Sequence, residues 1–295
     1  MVTLLPAATE IVAALGGAGH LVGISHECDY PGSVHGLPRV TSTPVDPSCS
    51  SAAIDAEVRR LREAGRPVIA VDAEQIRKLR PDLIITQGLC EVCAVSDGEV
   101  YRLAEAIHPA PRILSLAARD LGGIWRDIQD VGAALDRGDE AKELVLGLQG
   151  RLRRLRTSAV SPSPRVLCIE WLEPLYLAGH WVPELVAAAG GEDVGARAGS
   201  HSARREWAEL PPLRPDHVVV MLCGLDMERA RAELEALDHT EALALMRRVP
   251  TSILDGNQYT SRPGPRVVDG AEQIRAALTG VPAGEVERWL PAVRC

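Results

Sequence analysis

Two cysteines with the spacing Cys-x-x-Cys, Cys90 and Cys93, follow a short apolar run in this sequence. This spacing brings two thiolates within reach of one metal ion, as in zinc and iron–sulfur sites, and it also occurs in thiol redox motifs. The sequence contains no second Cys-x-x-Cys, so a complete metal site would need further ligands, for which Cys28 and Cys223 are the candidates. The alternative is that Cys90 and Cys93 are ordinary loop cysteines.

Polar, sulfur-containing and aromatic side chains gather just beyond the predicted strands. In open α/β sheets, ligands bind beyond the carboxyl ends of the strands, so this placement predicts a ligand-binding role. The candidate ligand-binding residues are Thr9, Glu10, His26, Glu27, Cys28, Gln87, Glu91, Trp171, Glu173, His180, Trp181, Asn257, Tyr259 and Arg262.

Several of these side chains also have a purely structural interpretation. Because the sequence contains no Phe, a Trp beside a polar loop is available as a flat wall for a planar ligand, although Trp171 and Trp181 would serve equally as core residues. A lone histidine such as His26 is more often a hydrogen-bonded structural residue, whereas His180 lies in a predicted loop. No nucleophile elbow, phosphate-binding loop or His-Glu-x-x-His motif occurs, so we predict no catalytic residue.

The composition of the 295 residues, 46% hydrophobic and 24% charged, is that of a globular protein. The net charge of -8 argues against nucleic acid or an anionic membrane as the main partner. Residues 1–6 lack the features of a signal peptide, and no stretch approaches the ~20 apolar residues of a membrane helix. We therefore expect a cytoplasmic location, with a periplasmic or other extracytoplasmic location as the alternative for a trimmed chain.

A Pro-Asp pair followed by an apolar run occurs twice. Pro81-Asp82 precedes Leu83, Ile84 and Ile85, and a second pair at 215–216 precedes the run 218–222. Predicted helices and strands alternate around both runs with short connections, which favours parallel sheets. The sequence therefore predicts an α/β protein with two lobes, each containing a central, mostly parallel sheet flanked by helices.

Residues 118–157 keep helical spacing and contain no strand pattern. A continuous helix of about 20 residues there would be roughly 30 Å long and would form a stiff connection. The predicted organisation is an N-terminal lobe at 1–117, a helical connector at 118–160 and a C-terminal lobe at 161–295. In the C-terminal lobe we expect one helix over 227–246 and the last strand at 252–254.

Several segments, from residue 3 to about 279, resemble a known family. Their order resembles the class III substrate-binding proteins of ABC importers for cobalamin and iron–siderophores. The segments that carry this resemblance are Leu-Leu-Pro-Ala-Ala-Thr-Glu at 4–10, Pro-Asp-Leu-Ile-Ile-Thr-Gln at 81–87 and Pro-Asp-His-Val-Val-Val at 215–220. Four further segments, 25–31, 89–96, 179–183 and 255–257, are similar to the cobalamin-binding-protein branch of the family.

This resemblance implies two lobes joined by one long helix, with a corrinoid such as cobalamin bound in the cleft between the lobes. Trp171, Trp181 and Tyr259 would then pack on the macrocycle. Either His26 or His180 would approach the cobalt, for which imidazole is a suitable ligand.

The resemblance also implies an ABC permease as partner. Family members dock on the permease through one surface glutamate in each lobe, and Glu74 occupies the first of these places. The second place is occupied by Ala208, which departs from the family pattern.

Two other functions are left open by the sequence. One is a cytosolic metal or iron–sulfur protein, or an enzyme, that uses Cys28, Cys90, Cys93 and Cys223 to hold zinc or an iron–sulfur cluster. The other is a protein that binds an iron chelate.

Overall fold

The computed structural model describes residues 1–88, 97–157, 162–281 and 286–289. The chain divides into two compact units, which we call the first and the second unit. The first unit consists of Met1–Cys49, Ala53–Ala118 and Gly122–Leu146, and the second consists of Ser50–Ala52, Arg119–Leu121 and Gly147–Cys295.

The first unit is built on a four-stranded parallel sheet with the strand order β2-β1-β5-β6. The central strand β5 is apolar on both faces, and Ile84 and Ile85 are fully buried, as expected for a strand covered by helices on each side. Strands β3 and β4, which lie between β2 and β5 in the sequence, form a separate antiparallel pair. The strands of this unit are β1 (Val2–Thr3), β2 (Gly23–Ile24), β3 (Thr41–Ser42), β4 (Ala70–Val71), β5 (Leu83–Gln87) and β6 (Arg112–Leu116).

Helices of the first unit begin and end at residues suited to those positions. Pro6 opens α1 because its fixed φ angle matches the first helical turn, and Asp72 caps α3 by accepting a 2.9 Å hydrogen bond from the Gln75 backbone N–H. The helices up to residue 157 are α1 (Pro6–Ala14), α2 (Ser51–Glu63), α3 (Ala73–Leu79), α4 (Asp97–Glu105), α5 (Leu121–Ala134) and α6 (Gly138–Thr157).

The second unit contains a mixed sheet with a parallel centre. Strands β9, β7, β11 and β12 pair in parallel, whereas β8, β10 and β13 are added in antiparallel orientation at the edges. The strands are β7 (Arg165–Trp171), β8 (Tyr176–Leu177), β9 (Glu192–Asp193), β10 (Ala203–Arg204), β11 (His217–Val220), β12 (Thr251–Leu254) and β13 (Val286–Trp289). The predicted α/β class with two lobes is confirmed.

The prediction of one helix over residues 227–246 is wrong. The chain forms two helices here, because Leu237 and His239 adopt extended backbone angles and separate them. The helices of the second unit are α7 (Val182–Ala189), α8 (Met227–Ala236), α9 (Thr240–Arg248), α10 (Gly256–Tyr259) and α11 (Val267–Thr279).

The prediction that the last strand is at 252–254 is also wrong. Strand β13 follows it and pairs antiparallel with β12, with Trp289 opposite Thr251. Trp289 is buried, and Glu287 forms an ion pair with Arg231 of α8, so both side-chain packing and charge hold this strand in place.

Candidate functional site

The carboxyl ends of the parallel strands of the first unit gather three small polar side chains. Thr3 ends β1, and its hydroxyl lies 2.6 Å from that of Thr9 on the following helix. The Thr9 hydroxyl also lies 3.0 Å from the Cys28 sulfur, and Thr9 and Cys28 are both at most 1% exposed. The structure therefore brings two of the predicted residues together, in a buried cluster beneath the surface of this edge. Glu10, which follows Thr9, is buried as well.

His26 lies just beyond β2 and is held by hydrogen bonds to a neighbouring segment. Its backbone N–H donates to the Thr41 hydroxyl at 2.9 Å, and its ring Nδ1 lies 2.7 Å from the same oxygen. The Thr41 hydroxyl in turn donates to the Ser25 hydroxyl at 3.1 Å. Burial lowers the pKa of His26 from its ordinary value, Glu27 acts in the opposite direction, and Arg39 lowers it further.

The remaining residues of the first unit that the sequence predicts for ligand or metal binding are Glu27, Gln87, Cys90, Glu91 and Cys93. Gln87 ends β5 and is partly exposed, and Glu27 is exposed. Glu91, Cys90 and Cys93 lie outside the described residues, so the predictions for them stay predictions.

In the second unit, three neighbouring chain segments meet beyond the carboxyl ends of β7, β11 and β12. The Cys223 backbone N–H donates to the Glu170 carbonyl oxygen at 2.9 Å, and the Asn257 N–H donates to the Leu225 carbonyl oxygen at 3.1 Å. The approach is so close at Gly256 that a Cβ atom there would lie 2.2 Å from the Leu222 carbonyl oxygen. Only glycine fits at this point, and it allows the segments carrying Cys223 and Asn257 to lie side by side.

The segment 255–262 is ordered by its own side chains. Asp255 caps α10, with its two oxygens accepting from the Gln258 backbone N–H and side-chain amide, each at 2.8 Å, and burial raises the pKa of Asp255. The buried Arg262 donates to Asn257 Oδ1 at 2.8 Å, which fixes the orientation of that amide. Tyr259 is partly exposed, and the Arg266 guanidinium lies 5.6 Å from the centre of its ring.

Trp171 is the last residue of β7, and Glu173 lies in the turn that follows. The Trp171 indole N–H donates to the Glu173 carbonyl oxygen at 3.1 Å, and the indole is partly exposed. Glu173 itself is exposed. A partly exposed indole fixed by a hydrogen bond is available for contact with a planar ligand.

Trp181 occupies a different environment, immediately before α7. Its indole is only 6% exposed, and its N–H donates to the Thr260 carbonyl oxygen at 2.8 Å. This bond ties the start of α7 to the loop that follows α10.

His180 is half-buried next to Trp181, with a left-handed backbone at φ 53°. Its backbone bonds the segment 199–200 through two hydrogen bonds, from His180 N–H to Ser200 O at 2.6 Å and from Gly199 N–H to His180 O at 2.8 Å. Burial lowers the pKa of His180, as do the neighbouring His201 and Arg119.

Sequence reasoning missed three residues that the structure places around the histidines: Ser25, Thr41 and His201. Ser25 directly follows β2, so its position gave the same signal as that of His26. Thr41 and His201 come from separate chain segments without a strand–helix pattern, and nothing in the sequence links them to His26 or His180.

The predicted metal ligands do not form a cluster within the described residues, where no group of three or more His, Cys, Asp or Glu side chains is arranged to hold a metal ion. Cys28 is buried in the first unit, while Cys223 is half-buried in the second. Cys168, in β7, is buried, and burial raises the pKa of its thiol.

The two positions considered for permease docking are both exposed. Glu74 lies in the first turn of α3 and pairs with Lys78 at 2.7 Å. Ala208 lies in a single helical turn at 207–209, where Glu206 and Glu209 cap the turn. Across the described ranges, no helix combines the length and apolar character needed to cross a membrane.

The sequence matches the family described as "Periplasmic binding protein" over residues 1–247. No curated protein matches the chain.

Solved structures with similar folds share about a fifth of their residues with this chain. A periplasmic heme-binding protein from Pseudomonas aeruginosa is 22% identical with a TM-score of 0.69, covering 98% of this chain and 94% of that one. The periplasmic heme-binding protein RhuT from Roseiflexus sp. RS-1 is 20% identical with a TM-score of 0.67, and the coverage is 95% and 97%. The periplasmic vitamin B12 binding protein BtuF of Vibrio cholerae is 21% identical with a TM-score of 0.65, and the coverage is 94% and 95%. At this identity the similarity establishes the fold.

The expectation of a cytoplasmic location is wrong. The matching family and these similar structures are periplasmic binding proteins, which indicates an extracytoplasmic location.

The fold therefore agrees with the sequence match, which spans well over half of the 295 residues. This chain belongs to the family of periplasmic binding proteins.

Proposed function

We propose that this protein is the substrate-binding component of an ABC importer and that it binds a corrinoid of the cobalamin type. The family membership supports a role in binding a small molecule. The corrinoid is proposed from the segments similar to the cobalamin-binding branch and from the donor groups at the two sheet edges.

The observation that carries the proposal is the hydrogen-bond arrangement of His26. The Thr41 hydroxyl has one proton, and it donates that proton to the Ser25 hydroxyl at 3.1 Å. We therefore assign the donor role in the 2.7 Å contact between Thr41 and His26 to Nδ1. The proton is thus on Nδ1, and Nε2 keeps its lone pair, which is the form of imidazole that binds a metal ion.

A cobalt ion in a corrin ring offers an axial position to such a nitrogen. Imidazole suits cobalt, and the lowered pKa of His26 keeps the ring neutral at pH 7. We assign the axial contact to His26 because a bond to its other nitrogen fixes its tautomer.

The second unit would supply contacts to the ring and its amide rim. Trp171 and Tyr259 are partly exposed and would pack on the macrocycle, and Asn257, oriented by Arg262, would meet an amide group. The buried Trp181 would act indirectly, by holding Thr260, the residue that follows Tyr259.

The test is a titration of the purified protein with aquocobalamin, followed by visible absorption. Replacement of the cobalt-bound water by imidazole shifts the corrinoid bands. We expect this shift in the wild-type protein and in His20→Ala, an exposed histidine of the same unit, but not in His26→Ala.

A Thr41→Val substitution separates the tautomer argument from the presence of the ring. Valine keeps the shape of the side chain but removes the acceptor for Nδ1, so affinity for the corrinoid should fall by about 10–100-fold. An equal shift in wild-type and His26→Ala protein would contradict the assignment of His26. Retention of hemin or an iron chelate but of no corrinoid would overturn the corrinoid proposal.

A further inference from the structure

The structure contains a pair of histidines that the corrinoid proposal does not use. His180 and His201 have ring centres 5.3 Å apart and ring planes nearly perpendicular, at 86°. Both residues belong to the second unit, and neither is needed for the axial contact assigned to His26.

The ring separation suits a shared metal ion. With metal–nitrogen distances of about 2.1 Å, two imidazoles bound to one tetrahedral ion have ring centres about 5 Å apart. The observed separation of 5.3 Å is close to that value, so the spacing of the two rings suits one shared ion.

The backbone around the pair is fixed on both sides. Hydrogen bonds join His180 to Ser200 at 2.6 Å and Gly199 to His180 at 2.8 Å. Gly179 packs directly against the same segment, where a Cβ atom would lie 2.5 Å from the Ser200 carbonyl oxygen. His180 also holds a left-handed backbone at φ 53°, which a non-glycine residue adopts only where surrounding contacts impose it.

The two rings differ in exposure, and the more exposed ring is accessible to an ion from solvent. His180 is half-buried beside Trp181, with ring centres 5.6 Å apart, whereas His201 is exposed. A metal ion can thus reach the pair from solvent while His180 stays fixed by its packing.

We propose that His180 and His201 together bind one divalent transition-metal ion, such as Ni²⁺ or Zn²⁺, with water at the remaining positions. Imidazole is a good ligand for these ions. Two protein ligands make a site of modest affinity, and the described residues offer no third His, Cys, Asp or Glu in a group with them. The positive charge of Arg119 acts on His180 and should oppose the binding of a cation there.

The experiment is isothermal titration calorimetry of the untagged, reduced protein with NiCl₂. We expect one Ni²⁺ per chain, a loss of affinity of about tenfold or more in His201→Ala, and no change in His20→Ala. Because His201 and His20 are both exposed, neither substitution should disturb folding. Arg119→Gln should tighten Ni²⁺ binding by removing the opposing charge.

Two results would overturn the proposal. The first is Ni²⁺ binding of equal strength in wild-type and His201→Ala protein, which would assign the metal to other side chains, such as the cysteines. The second is the absence of saturable binding in the wild-type protein. Aquocobalamin binding by His201→Ala, measured in parallel, keeps this result separate from the corrinoid proposal, because that substitution leaves His26 and Thr41 intact.

Discussion

The indole of Trp181 combines near-complete burial with a directed hydrogen bond to the Thr260 carbonyl oxygen at 2.8 Å. The buried indole stabilises the fold because it removes apolar area from water. Its N–H also gives the Thr260 carbonyl oxygen a hydrogen-bond donor. Its main effect should therefore be on the stability of the second unit.

Trp181→Ala should lower the free energy of unfolding by about 3–5 kcal/mol, since it leaves a large cavity and removes the hydrogen bond. Trp181→Phe keeps most of the apolar volume and loses only the N–H, so its cost should be nearer ~1–3 kcal/mol. Urea unfolding followed by circular dichroism measures both. Equal costs for the two variants would show that packing of the ring contributes little.

At the level of single residues, the sequence indicates which positions follow strands but not how far each side chain is exposed. His26 and Cys28 both follow β2, yet Cys28 is 1% exposed and contacts Thr9, while His26 is partly exposed. Thr41, whose hydroxyl lies 2.7 Å from His26 Nδ1, could not be predicted because its partner lies 15 residues away in another segment.

The start of α5 depends on carboxylates that accept from backbone N–H groups. Asp127, on α5, accepts from Ala118 N–H at 3.0 Å and from Ala117 N–H at 3.4 Å, and thus holds the loop between β6 and α5. Glu184 accepts from the Leu121 N–H at 2.7 Å, at the first residue of the helix. Burial raises the pKa of Asp127 from 3.8 to about 6.

This raised pKa predicts a pH dependence of stability between about pH 4 and 6. In this range the folded protein keeps a proton on Asp127 that the unfolded chain has released, so stability falls as the pH rises. Asp127→Asn does not titrate, so the melting temperature of the wild-type protein should decline relative to that of this variant, by ~2 °C or more between pH 4 and 7.

Thermal unfolding at pH 4, 5, 6 and 7 measures this difference, and Glu105→Gln, which removes an exposed carboxylate at the end of α4, is the control. A constant difference between wild type and Asp127→Asn across this range would contradict the prediction.

Elements with strong local signals were predicted well. Helix α3 follows the capping Asp72, and strand β6 coincides with a compact apolar run, so both elements are marked within the sequence. The break between α8 and α9 and the antiparallel strand β13 were missed, because neither is marked by a glycine or proline at the break or by a periodic apolar pattern. Strand β13 is held instead by pairing with β12 and by Arg231, which are distant in sequence.

At the scale of the whole molecule, helix α6 is divided between the two units. Its residues up to Leu146 belong to the first unit, and those from Gly147 onward belong to the second. The sequence predicts a stiff helical segment of about 20 residues in this region, and α6 has 20 residues. Arg151, in the second half, pairs with Asp269 and Glu272 of α11 and anchors that half to the second unit.

Gly147 lies exposed within α6, and a Cβ atom built there meets nothing within 4 Å. Gly147→Ala should therefore stabilise the protein by about 0.5–1 kcal/mol through helix propensity, with corrinoid binding unchanged.

Gly147→Pro removes a helical hydrogen bond and should cost ~3 kcal/mol. Because α6 contributes residues to both units, this variant should also weaken aquocobalamin binding at a temperature where it remains folded. Melting temperature, circular dichroism and aquocobalamin titration of both variants test this. Full affinity in a folded Gly147→Pro protein would show that binding does not depend on an unbroken helix between the units.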